Sequence, residues 1–131
     1  MKIILEDKEV LEFIHSALCN GGLSELAMCD VHLEVSKVDY ETAKPKAFEH
    51  IDSDTLCRED VWVQILRGGQ SLKFYDHEGG EEISFDLRKA KKNLSSEDAA
   101  EIILEYKEGN DDAITATELL QHCLYGEVIF A

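Results

Sequence analysis

Positive charge is scarce in this chain: 13 Lys and Arg stand against 28 Asp and Glu in 131 residues, a formal net charge of −15. A surface this acidic repels phosphate backbones and anionic membranes, so neither nucleic acid nor membrane is expected as a direct partner, and basic surfaces are. Proline is almost absent, Pro45 being the only one, and no proline-rich linker divides the chain. There is no run of about 18 apolar residues. The apolar start Ile3-Ile4-Leu5 follows one Lys2 and ends at Glu6-Asp7, so the expectation is neither a membrane span nor a signal peptide but a cytoplasmic protein. No Cys-x-x-Cys, His-x-x-x-His or phosphate-cradling glycine motif occurs. Cys19, Cys29, Cys57 and Cys123 lie far apart among apolar neighbours, and the expectation is reduced thiols used as small core side chains.

What the chain does have is an apolar content of 44%, enough for one folded domain over residues 1–131. Val10, Leu11, Ile14, Ala17 and Leu18 repeat at helical spacing over 8–20, with Asp7 as cap and Gly21-Gly22 as stop. Val31, Leu33 and Val35 alternate with polar residues and predict a strand over 31–38. Residues 39–55 read as a loop with at most a helical turn. A second amphipathic helix spans 57–66 and ends at Gly68-Gly69; strand-like runs 72–75 and 82–87 flank Gly79-Gly80 as a hairpin. Ser95 or Ser96 then caps a helix to residue 107, and Asp111 or Asp112 caps another over 113–125 with Ile114, Leu119, Leu120, Cys123 and Leu124 inward. The apolar Val128-Ile129-Phe130 is expected to be tied into the core or a sheet edge. The fold class is α+β: about four helices packed on a small antiparallel sheet that contains a hairpin.

The charge has a pattern. Residues 93–131 hold nine acids and one Lys. Glu97, Glu101, Glu105 and Glu108 follow at steps of four, four and three, which places them on one helical face, with Asp111 and Asp112 just beyond. Successive acids then lie about 6 Å apart along the axis, comparable with phosphates along a nucleic-acid strand. Such a stripe can imitate a backbone for a basic protein; a merely solvated face is the alternative. The one basic cluster, Arg88, Lys89, Lys91 and Lys92, is able with Arg67 to line a pocket for an anionic ligand, or else to pair with the acidic surface. His15 and Cys19, four apart on a helix, are two metal ligands without a second pair, so no metal and no cofactor is expected. Asp76-His77-Glu78 has acid-base residue types, but neighbours on a strand point to opposite faces, and the segment reads as a polar hairpin tip. Trp62 and Phe74 read as core.

The run Glu59-Asp60-Val61-Trp62-Val63-Gln64-Ile65-Leu66-Arg67-Gly68-Gly69, the hairpin after it, Asn110-Asp111-Asp112-Ala113 and the ending Leu124-Tyr125-Gly126-Glu127-Val128-Ile129-Phe130 resemble small acidic proteins of unknown function encoded by tailed phages and prophages. The resemblance implies an accessory protein of the bacterial host cytoplasm that blocks a host defence or nucleic-acid-handling protein by binding it. No site residue follows from it. The expected function is therefore binding, without catalysis, to a basic host protein through the acidic face. A small-ligand or nucleotide-signal binder is the alternative, an enzyme or a virion component comes after, and self-association is left open.

Overall fold

A computed structural model describes residues 3–110 and 112–130. Helix α1 (Asp7–Cys19) starts at Glu6, whose N–H donates to Glu9 Oε1 at 3.2 Å. Glu6 is the cap in place of Asp7, whose carboxylate instead accepts from Lys91 Nζ at 3.0 Å. Val10, Leu11, Ile14, Ala17 and Leu18 are all buried, the stripe that their spacing dictates. Gly21 does more than end this helix. Its φ of +91° turns the chain into a short second helix, α2 (Gly22–Met28), which sequence spacing did not announce.

Strand β1 (Val31–Glu34) is shorter than expected because Ser36 Oγ accepts the Asp39 N–H at 3.1 Å and opens helix α3 (Lys37–Ala47). The segment expected as a loop is thus mostly helix. Its signal was faint: Tyr40, Ala43 and Ala47 are its less exposed residues, and the rest of α3 faces solvent with Pro45 near its end. A 3₁₀ turn (Phe48–His50) follows, then α4 (Arg58–Arg67), against which α3 packs.

Strands β2 (Leu72–Asp76) and β3 (Glu81–Phe85) form the expected hairpin, and β2 is the centre of a three-stranded antiparallel sheet ordered β1-β2-β3. Phe74 lies opposite Leu33 on one side and Ile83 on the other, so one apolar row crosses all three strands. The basic segment is itself a helix, α5 (Leu87–Leu94), capped by Asp86 Oδ1, which accepts the Lys89 N–H at 2.8 Å. The next helix begins later than expected. Residues Glu97–Ala99 form a 3₁₀ turn, and α6 spans only Ala100–Lys107.

Helix α7 (Ala113–Tyr125) is the spine of the core, packed on α1, α2, α5 and α6. Asp112 Oδ1 caps it by accepting the Thr115 N–H at 2.8 Å, and Gly126 ends it at φ +77°; Asp111 lies outside the described residues. Ile114, expected inside, is 66% exposed, because it sits about 140° around the helix from Leu119. Residues 128–130 form no strand. They are held by the buried Gln121, whose Oε1 accepts the Ile129 N–H at 2.9 Å and the Phe130 N–H at 2.8 Å. Among the described residues the α+β fold therefore has seven α-helices where sequence spacing indicated about four, and none is long and apolar enough to cross a membrane.

Candidate functional site

The acidic residues do not form the straight stripe expected from their spacing. Since the α-helix starts only at Ala100, Glu97 sits in the tighter 3₁₀ turn, and Glu108 is the residue that ends α6. What the fold builds instead is a cavity of about 380 Å³ between α6 and α7. Asp98, Glu101 and Glu105 border it from one side and Glu118 from the other, above Ile102, Thr115 and His122. Burial, then Asp112, Glu101 and Glu105, push the Glu118 carboxyl above its usual range. His122 is 3% exposed, its Nδ1 has no hydrogen-bond partner, and burial holds its pKa below the usual histidine value. Among the described residues no Lys or Arg lies within 4.0 Å of Glu101, Glu105 or Glu118. Lys107, the one lysine of the acidic segment, reaches the other way, 3.8 Å from Glu9 of α1. Sequence alone does not pick out Asp98, Glu118 or His122, although the four-residue step from Glu118 to His122 places both on one face of α7.

The basic residues converge more closely than their sequence positions require. Arg67, from the end of α4, and Arg88, Lys91 and Lys92, from α5, line one cavity of about 700 Å³ together with Asp7 and Asp86. Lys89 does not join them, because its Nζ donates to the Ser84 carbonyl at 2.8 Å. Lys91 pairs with Asp7; Arg88 and Lys92 have no carboxylate within 4.0 Å among the described residues.

His15 and Cys19 do meet, and a third group meets them. His15 Nε2 lies 2.9 Å from Asp60 Oδ1, and Cys19 Sγ lies 3.8 Å from His15 Nδ1. Asp60 is anchored by the Cys57 N–H, which donates to its Oδ2 at 3.0 Å. The order thiol, imidazole, carboxylate is that of a nucleophilic triad, but the electrostatics oppose it. Burial, then Glu59 and Asp60, push the Cys19 thiol up to about 11, so it stays protonated at neutral pH. Among the described residues no three His, Cys, Asp or Glu side chains are placed to hold a metal.

At the hairpin tip, Asp76 Oδ1 accepts the N–H groups of Glu78 and Gly79 at 3.1 and 3.0 Å, which commits it to the turn. His77 packs instead on Tyr75 and His32, with ring centroids 4.7 and 5.2 Å away, so the three residues do not converge. The cysteines also differ from expectation: Cys123 is buried, whereas Cys19 and Cys57 are exposed and Cys29 is intermediate. Both exposed thiols stand at helix boundaries, where an apolar neighbour in sequence is no guide to burial. Phe74 is core as expected, while Trp62 is only partly buried, with the Arg58 guanidinium 5.4 Å from its ring centroid. Searches of protein-family models, curated proteins and solved structures find no match to this chain.

Proposed function

We propose that this protein works by binding a basic surface on another protein, with the carboxylates around the α6–α7 cavity as the contact. The observation that carries this reading is the set Asp98, Glu101, Glu105 and Glu118 gathered about one concavity while Lys107 is turned toward Glu9. Like charges brought together without counter-charge destabilise a small domain. A partner's Lys or Arg entering the cavity relieves that repulsion, and shedding water there strengthens each contact. The target in this proposal is a host protein built to hold DNA or RNA, as a phage-type accessory role for the chain would imply.

The test is capture from bacterial lysate at about 0.05 M and about 0.5 M salt, between which the screening length falls severalfold. The wild-type chain is expected to retain a partner at low salt and release it at high salt. Reversal of charge in Glu101→Lys/Glu105→Lys is expected to abolish capture at both. A partner that stays bound at high salt, or that ignores the reversal, overturns the reading.

A further inference from the structure

Arg67 belongs to two cavities at once. Besides bordering the basic cavity of about 700 Å³, it also lines another of about 690 Å³ between α1, α4 and the chain after α3. Each volume suits a small-molecule site, for which roughly 300–1,000 Å³ is usual. The two chambers differ in character. The second has Leu11, Ala47, Ile51 and Val63 as its apolar wall and the His15–Asp60 pair on its rim.

The charges say what is missing. Arg67 is partly buried, and its Nη1 donates to Gln64 Oε1 at 2.7 Å; no carboxylate lies within 4.0 Å of it among the described residues. A guanidinium has five donors, so most of its fork is open. Burial lowers its pKa from the usual value, against the pull of Asp60, which marks a cation short of solvent. Arg88 and Lys92 face the same cavity equally unpaired. In a chain where 28 acids outnumber 13 bases, three cations with no acid within 4.0 Å, at a concavity whose own acids Asp7 and Asp86 are engaged with Lys91 and with the start of α5, leave room for an anion. A planar fork matches phosphate in particular. The apolar chamber does not favour that anion, since Lys8 and Arg67 on its border are balanced by Glu12 and Asp60, whereas in the other the four cations outnumber Asp7 and Asp86.

We propose that the paired cavities form one cleft for a nucleoside diphosphate, with its phosphates among Arg67, Arg88, Lys91 and Lys92 and its base against Leu11, Ala47, Ile51 and Val63. Arg67 is the hinge of recognition, since it touches both chambers. This site uses α1, α4 and α5, and is independent of the acidic face on α6 and α7.

Calorimetric titration of the purified full chain with ADP, GDP and UDP, and separately with inorganic phosphate, tests it. At least one nucleotide is expected to bind about tenfold or more tightly than phosphate, and Arg67→Gln to weaken it by about tenfold or more. Arg88→Gln/Lys92→Gln alters exposed side chains only and is expected to weaken it likewise with the fold intact. Ile51→Asp is expected to weaken the nucleotide and spare phosphate, and Glu101→Lys/Glu105→Lys to change neither, which separates this site from partner capture. Absence of binding by all three nucleotides, or affinity unchanged in Arg67→Gln and Arg88→Gln/Lys92→Gln, overturns the proposal. Phosphate binding as tightly as the nucleotides overturns it too.

Discussion

Gly22 and Leu120 stand so close that a Cβ added to the glycine would lie 2.8 Å from the leucine Cδ1 and 2.7 Å from the Ala17 carbonyl oxygen. This contact sets how near α2 lies to α7. Gly22→Ala is therefore expected to destabilise the protein by about 1–3 kcal/mol, because the carbonyl is backbone and has little freedom to give. Thermal unfolding followed by circular dichroism should show a midpoint lower by several degrees. An unchanged midpoint would mean that α2 shifts freely, and that the close packing on α7 contributes little.

Glu118 links the acidic cavity to stability. Its folded-state pKa lies above its ordinary value because of burial first and of Asp112, Glu101 and Glu105 next. A raised carboxyl contributes stability that is present below its unfolded pKa and lost as pH rises through the folded pKa. Glu118→Gln carries no such loss. The variant is expected to melt above wild type at neutral pH, with the difference shrinking toward about pH 4, where the native glutamic acid is itself protonated. Equal differences at both pH values would remove the electrostatic explanation.

The thiols should separate by environment. Cys57 is exposed, Cys19 is exposed with its thiol pushed up to about 11, and Cys123 is buried with its thiol also pushed up by burial. Reactivity follows the thiolate. Alkylation by iodoacetamide, mapped by mass spectrometry, is expected to reach Cys57 before Cys19 near neutral pH and Cys123 only after unfolding. Fast modification of Cys19 at neutral pH would instead mark the Cys19–His15–Asp60 array as an activated nucleophile.

The candidate sites were legible in part. Four of the five basic residues expected around an anion pocket, Arg67, Arg88, Lys91 and Lys92, do share one cavity, since 88–92 coils into a single helix beside the end of α4. Lys89 falls away because its Nζ is held by the Ser84 carbonyl at 2.8 Å. Of the carboxylates, Glu101 and Glu105 hold the common face that their four-residue step demands, but Glu97 does not reach the cavity, the 3₁₀ turn at 97–99 having broken the period. Asp60 is 45 residues from His15, and no local pattern announces that they meet.

Sequence by itself determined the buried stripe of α1, the hairpin of β2 and β3, an aspartate cap at 111 or 112 and the Gly126 stop of α7, and the acidity of the last 39 residues. These follow from periodicity, capping and turn chemistry, which act over a few neighbouring residues. Tertiary structure alone decided the rest. It folded 22–28 and 37–47 into helices whose own apolar signal is weak, and bound the tail through Gln121. It also turned Lys107 toward Glu9 and set Arg67 between two cavities. Apart from the tail, whose partner is eight and nine residues away, each of these depends on a group distant in the chain, and such a partner exists only once the helices have packed.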